Sequence, residues 1–465
     1  MNRQFRPIAL VTLLLALLAC QSLAPFLNPA SGTPNIARNY SSKSTSTPVP
    51  TLTPLPTDTP TPTSLPPSPT LTQIPLTPTS TLIPVQTQLN IFENLWSIVN
   101  DTYVYPDFNG LDWDAVRQEY QQKITSGLTN EQFYLAMSDA ITRLGDDHSF
   151  FIDPQGVAAQ EREYQGKHDY VGIGILISAV PERQHAVVLS VFPASPAEAA
   201  GLQPRDNIIS VDGVPILDQY GYLQDIVRGP EGTTITINVQ TPGEDLRQVQ
   251  IIRHRITGDY PLDHTVITTP GGKRIGYIFL ITFEDSTVDE QVAQALEGMS
   301  AGGPLDGLIL DNRMNGGGSS TVLEPVLSYF TGGDLGYFVQ HSEERPFGVK
   351  SKDIRGSTRV PLVVLVGKDT ASFGEIFAGI LQDVGRAYLI GTTTGGNVEI
   401  LWGYDLADGS QLWLANETFR PLNHPDQDWE RTGIIPDLTV SGDFDEYALA
   451  DDPAVLAAIQ YFSQH

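Results

Sequence analysis

Cysteine is almost missing from this 465-residue chain: the single Cys20 permits no intramolecular disulfide and no metal site built from several thiolates. Basic residues are scarce too, 27 Lys+Arg against 54 Asp+Glu, giving a formal net charge of -27. A pI near 4.5 repels polyphosphate. No basic stripe offsets it, which excludes non-specific nucleic-acid binding. The apolar run from Ile8 to Leu18 is too short to span a bilayer comfortably. Glycine (41) and proline (35) are plentiful but unevenly spread. At roughly 150 residues per domain, the length accommodates about three domains.

Residues 1–20 read as an address. Arg3 and Arg6 form a short positive region, the apolar run follows, and Leu17-Leu18-Ala19-Cys20 closes it. This is the pattern of a secretory signal. The small residue before the cysteine resembles the lipobox of bacterial lipoproteins, although Leu18 is bulkier than the usual residue there. That resemblance implies a diacylated Cys20 after cleavage, and hence an extracytoplasmic protein held by a lipid anchor. From 21 to 88 the chain carries fifteen of its prolines amid Thr and Ser, as in Thr59-Pro60-Thr61-Pro62-Thr63. Such a segment buries too little apolar surface to offset its ordering entropy, so a disordered, extended tether is expected.

Three blocks remain. Residues 89–166 look helical: Ile91, Leu95, Trp96 and Ile98 share a face, Phe133, Met137, Ile141 and Leu144 repeat at helical spacing, and Gly145 stops the second run. Asp146-Asp147-His148-Ser149 follows, a polar cluster before Phe150-Phe151. Residues 167–256 switch to short strands, with Asp212-Gly213 as a hairpin turn and Ser195-Pro196-Ala197-Glu198-Ala199-Ala200-Gly201 as a short capped helix. Together with Tyr170-Val171-Gly172-Ile173-Gly174-Ile175 and Asp206-Asn207-Ile208-Ile209-Ser210-Val211-Asp212-Gly213, this block resembles a PDZ domain of the bacterial protease type. The resemblance implies that the backbone around Gly172, Ile173 and Gly174 receives a peptide's terminal carboxylate, while a strand edge pairs with the peptide. Residues 257–465 alternate strand and helix, so an α/β layered domain is expected.

Two strand-to-helix turns in this last block carry unusual residues. After Asp311 comes Asn312-Arg313-Met314-Asn315-Gly316-Gly317-Gly318-Ser319-Ser320. Consecutive glycines expose N–H groups able to hold a phosphate or an oxyanion, but the Lys-Ser/Thr of a phosphate loop is missing. The second turn, Gly367 to Glu375, puts Ser372 at the start of an apolar helix. Two readings of Ser372 stay open: a nucleophile at the positive end of a helix, or a capping box with Glu375 three residues on.

The series Gly145-Asp146-Asp147-His148-Ser149, PDZ, Leu310-Asp311-Asn312-Arg313-Met314-Asn315-Gly316-Gly317-Gly318, Thr370-Ala371-Ser372-Phe373-Gly374-Glu375 and Glu430-Arg431-Thr432-Gly433-Ile434-Ile435-Pro436-Asp437 resembles the C-terminal processing peptidases and their tricorn core relatives. The resemblance spans nearly all of 89–465. It implies an α/β fold, a ClpP/crotonase-like core with an N-terminal helical region and an inserted PDZ domain. Ser372 resembles the nucleophile. The Ser-Lys branch carries a lysine where this chain has Asn397, and an amide cannot accept the serine proton. His148 and Glu430 match the positions of the base and the acid in the tricorn-like branch; Asp147, where that branch has a serine, is a possible network member.

The implied oxyanion hole is the N–H of Phe373 with that of Gly317, Gly318 being the competing assignment. The implied activity is serine endopeptidase cleavage of proteins or peptides, with no metal or cofactor. His424, Asp426 and Asp428 read as a solvated loop rather than as metal ligands. The competing function is a catalytically inactive lipoprotein that binds peptides through its PDZ domain or carries an apolar ligand, as retinoid-binding modules with this core do.

Overall fold

The computed structural model describes residues 82–146, 148–165 and 169–464. Cys20, the signal segment, nearly all of the tether and Asp147 lie outside them.

The N-terminal lobe is built from α1 (Val85–Thr102), α2 (Trp113–Thr125) and α3 (Asn130–Thr142). Asp112 caps α2 by accepting Ala115 N–H, and Thr129 with Gln132 forms a reciprocal capping box on α3. The first helix starts inside the stretch read as tether. Pro84 sits at its N-cap position, and Gln88 is fully buried with Nε2 donating to Ile83 O and Leu128 O at 3.0 Å each. Phe92 and Val99, rather than Trp96 and Ile98, complete the fully buried face with Ile91 and Leu95. The difference is one of phase, because Trp96 and Ile98 lie at the margins of the stripe. This face packs on Val116, Tyr120, Phe133, Met137 and, from far along the chain, Leu412 and Leu414. Strand β1 (Phe150–Ile152) and helix α4 (Pro154–Gln165) follow.

The next block contains β2 (Asp169–Gly172), β3 (Ile175–Val180), β4 (His185–Val191), α5 (Pro196–Ala199), β5 (Asn207–Val211), β6 (Val214–Pro215), β7 (Thr234–Gln240), β8 (Arg247–Ile252) and β9 (His254–Thr257). Its main sheet runs β3-β4-β5-β7-β8, with β3 at one edge, and β2 pairs with β9. Ser195 caps α5 through Glu198 N–H, and Asp212 and Gly213 both take positive φ (51° and 81°) at the β5–β6 turn. Arg205 leaves this block to bind the core: Nη1 meets Asp452 Oδ2 at 2.7 Å and Nη2 meets Asp311 Oδ2 at 3.4 Å. Arg313, in the glycine loop, shares both carboxylates.

The core comprises β10 (His264–Thr268), β11 (Arg274–Phe279), α6 (Val288–Ser300), β12 (Gly307–Asp311), α7 (Ser320–Ser328), β13 (Gly333–Gln340), β14 (Glu344–Val349), β15 (Leu362–Val366), α8 (Phe373–Asp383), β16 (Tyr388–Gly391), β17 (Ile400–Asp405), β18 (Gln411–Pro421), α9 (Trp429–Thr432), β19 (Leu438–Thr439) and α10 (Pro453–Gln464). Five of its strands, β11-β12-β15-β16-β19, run parallel, and β10 closes one edge antiparallel. Every residue of β12 and β15 is buried, as a strand covered on both faces requires. One face carries α8 and the other α10. A second sheet, β1-β18-β13-β14 with β17 on β18, joins the N-terminal lobe to the core. The fold is thus mixed α/β with the PDZ-like block inserted between the helical lobe and the core.

Candidate active site

The serine turn and the glycine loop are stitched together through backbone. Both follow neighbouring parallel strands, β15 and β12, so their C-terminal ends lie side by side. Ala371 N–H donates to Asn315 O at 3.0 Å, Asn312 Nδ2 to Gly374 O at 2.9 Å, and Thr370 Oγ1 to Asn312 O at 2.9 Å. A Cβ on Gly374 would stand 2.3 Å from Asn315 O, so only glycine permits this approach.

Ser372 sits at φ 53°, ψ -127°, a strained conformation for a residue with a side chain. Its N–H donates to Asn397 O at 2.5 Å, but its hydroxyl makes no capping bond. The partner needed for a capping box is engaged elsewhere: the Glu375 carboxylate accepts Gly396 N–H at 2.9 Å, Asn397 N–H at 2.7 Å and the Thr394 hydroxyl. Burial raises the Glu375 pKa even against these bonds. The capping alternative is therefore overturned, and the 394–397 loop is what Glu375 holds. Ser372 itself is only 2% exposed.

In the glycine loop, Gly317 N–H is donated to Asn315 Oδ1 at 2.9 Å. The N–H groups of Gly318 and Phe373 meet no protein acceptor among the described residues. Gly318 has φ +143°, and a Cβ there would fall 2.1 Å from the Phe283 carbonyl carbon, so the loop tolerates no side chain.

The histidine comes from the N-terminal lobe. Tyr103 Oη donates to Asp146 Oδ2 at 2.7 Å, and Asp146 Oδ1 accepts His148 N–H at 3.0 Å and Ser149 N–H at 2.5 Å. Ser149 Oγ accepts Ala415 N–H, which docks the turn on β18. His148 Nε2 then lies 2.8 Å from Glu430 Oε1, across 282 positions of sequence. Glu430 is fixed in turn, its Oε2 accepting Val398 N–H at 2.7 Å and Glu399 N–H at 3.1 Å. Burial disfavours the charged imidazole, but the hydrogen bond and charge of Glu430, with Glu399 and Asp146 behind, outweigh it and raise His148 to about 9.

Two residues of this network were given no role from the sequence. Asp146 is the anchor of the histidine turn, and its position two residues before His148, typical of an Asx turn, was the available clue. Glu399 is buried, and burial first, then the Glu430 and Asp146 carboxylates, push it up to about 8. Nothing local marks it. Asp147 is outside the described residues. Among those residues no hydrogen bond joins Ser372 Oγ to His148, and Nε2 is committed to Glu430.

The other candidate residues lie apart. Gly172, Ile173 and Gly174 are buried at the junction of β2 and β3, with Gly174 at φ +84°. His424 Nδ1 pairs with Asp383 Oδ1 at 2.7 Å, and Asp428 caps α9, so these are structural roles in a loop. Among the described residues the one His/acid group at metal-ligand spacing is His148, Glu399 and Glu430. No helix among them is long and apolar enough to cross a membrane.

Comparison with known proteins matches residues 274–440 to peptidase family S41, 187–241 to a PDZ domain and 84–142 to the tricorn protease C1 domain. A carboxyl-terminal-processing protease of Picosynechococcus sp. is 30% identical over 361 residues, covering 76% of this chain and 83% of its own. One from Synechocystis sp. is 28% identical over 365 residues, 77% and 82% of the two chains. The solved photosystem II D1 C-terminal processing protease superimposes with a TM-score of 0.53 at 28% identity, covering 76% of this chain and 93% of that one.

Proposed function

The chain belongs to peptidase family S41 and is a serine-type peptidase with a PDZ domain, and from that premise we propose an endopeptidase that processes polypeptides near their carboxyl termini, with Ser372 as nucleophile. The observation that carries this reading is the strained, uncapped Ser372 at the N-terminus of a buried helix, packed against a glycine loop whose Gly318 N–H has no protein acceptor among the described residues. Strain of this kind, of order 1–3 kcal/mol, persists where the surrounding structure over-determines it.

In the proposed reaction Ser372 Oγ attacks a peptide carbonyl and His148 takes its proton. The oxyanion is held by Phe373 N–H and Gly318 N–H; Gly317 is the poorer donor because Asn315 already occupies it. The proton passes to the leaving amine, and water releases the acyl-enzyme through the same base. Glu430 orients the imidazole and offsets its charge. Since Nε2 is committed to Glu430, the serine proton reaches the ring through Nδ1, or at Nε2 after that bond opens. The tautomer follows from which nitrogen Glu430 keeps.

Substrate tails would enter beside β3, an unpaired sheet edge, with the carboxylate at Gly172–Gly174. A lipid on Cys20 and the tether would hold the enzyme outside the cytoplasm. Asn397 in the lysine position is compatible with turnover in this scheme because the base is a histidine. The inactive-scaffold alternative is not favoured, since it gives no reason for the strain at Ser372.

The test is labelling of the full chain by a fluorophosphonate probe. Labelling lost in Ser372→Ala and strongly reduced in His148→Ala is the expected result. No labelling of a folded protein that still binds peptide would instead favour the scaffold.

A further inference from the structure

His148, Glu399 and Glu430 each offer one ligand atom, and the three atoms lie within 4.8 Å of one another. One imidazole and two carboxylates with a fourth position open is a donor set suited to zinc. An independent observation comes from Glu399. It is 3% exposed, and although the Tyr105 hydroxyl bonds its carboxyl group, its Oε2 has no hydrogen-bond partner among the described residues. A buried polar atom left in this state is costly, which is the reason such atoms are rare. Glu430 beside it differs, with Oε1 on His148 and Oε2 on two backbone amides. The proposed catalytic roles give Glu399 no task.

We propose that His148, Glu399 and Glu430 bind one divalent cation of the zinc class, and that the bound ion reversibly switches the peptidase off. The cation takes the place of the proton on Glu399, which is released to solvent, and supplies the partner that Glu399 Oε2 lacks. It also occupies a lone pair of the imidazole that Ser372 needs, which is where the proposal rests on the reading of His148 as base. Zinc bonds of about 2.0–2.1 Å set tetrahedral ligands ~3.4 Å apart, so the widest pair closes by no more than about 1.5 Å while the 2.8 Å His148–Glu430 pair opens by about 0.6 Å, within reach of side-chain rotation. The imidazole selects zinc over magnesium or calcium, which prefer all-oxygen sites. The Val398 and Glu399 amides on Glu430 Oε2 would hold one ligand in orientation from behind.

The experiment separates the site from the chemistry by using full-length Ser372→Ala, which needs no activity. Equilibrium dialysis against Zn²⁺ is expected to give one ion per chain, with Mg²⁺ and Ca²⁺ failing to compete, and Co²⁺ in its place should show the visible absorption of a tetrahedral site. Adding Glu399→Gln should weaken zinc at least tenfold at an unchanged melting temperature without metal. If that variant does not fold, His148→Asn carries the same expectation. Stoichiometric binding unaffected by either substitution, or no binding, overturns the proposal. In the unsubstituted protein, zinc should suppress fluorophosphonate labelling and EDTA should restore it. Glu399-dependent binding that leaves labelling untouched overturns the switch, and with it the role of His148, while the ion site stands.

Discussion

The two halves of the site are built by different means. The nucleophile half is a backbone construction: Ser372, Phe373 and the 312–318 loop are joined through main-chain groups at the ends of two adjacent buried strands. The base half is a side-chain construction, in which a histidine from the N-terminal lobe reaches one carboxylate from α9 and is steadied by Asp146 and Tyr103. Backbone stitching in a close-packed core leaves little freedom. A side-chain pair carried on a loop leaves more. The half that holds Ser372 is therefore the more rigid, and in the proposed scheme the imidazole has still to come within reach of Ser372.

The largest effect that tests this contrast is chemical. Ser372→Ala is expected to abolish peptide hydrolysis and probe labelling, and His148→Ala to lower labelling by about 10²–10⁴-fold, with circular dichroism unchanged in both. Retained labelling in Ser372→Ala would break the comparison at its root. Gly318→Ala attacks the rigid half directly: the added Cβ meets the Phe283 backbone, so activity should fall by about 10²-fold or more, with on the order of 3 kcal/mol lost in a urea melt.

The base half should answer to pH. The folded-state pKa of His148 is raised to about 9, so the ring is mostly protonated at neutral pH and becomes a base as pH rises through that value. Labelling at constant probe should climb roughly tenfold per pH unit from 7 and level off near 9. The stability linked to this pair runs the other way. It is complete below the ordinary histidine value near 6.5 and is lost as pH rises through about 9. A flat labelling profile over this range would assign the base elsewhere.

The smallest expected effect sharpens the contrast. Tyr103→Phe removes the bond to Asp146 Oδ2 and the one that Oη accepts from Asn109 Nδ2, which keeps Leu144 O as a partner. It should lower kcat about five-fold, with roughly 1 kcal/mol or less lost in stability. The same substitution should leave the Ser372 turn unaltered in hydrogen-exchange protection.

How much of this was legible follows the same division. Ser372, the glycine loop and the strands before them are contiguous motifs, and the burial of β12 and β15 was implied by their apolar runs, though not their adjacency. His148 and Glu430 were found only because both lie in recognisable segments; no local pattern says that 282 positions close to 2.8 Å. The capping reading of Ser372 and Glu375 could not be settled by spacing, since the same three-residue interval serves both. Gly317 and Gly318 were equivalent until Asn315 Oδ1 took one N–H. The start of α1 was hidden because Pro84 and the polar Gln86, Thr87 and Gln88 continue the composition of the tether, and only the fold shows Gln88 buried.

Taken by itself, the sequence determined the chemistry that is available: a serine at a helix start, a glycine loop without a phosphate-loop lysine, no lysine at 397, and an acidic chain with one cysteine. These are matters of residue identity and local backbone preference. What only the tertiary structure decided is which groups meet. The second sheet brings the N-terminal lobe onto β17 and β18, and so carries His148 to Glu430 and places buried Glu399 beside them. Such pairings depend on long-range burial of apolar faces, which fixes where each element docks and leaves no trace in the spacing of the polar residues it carries.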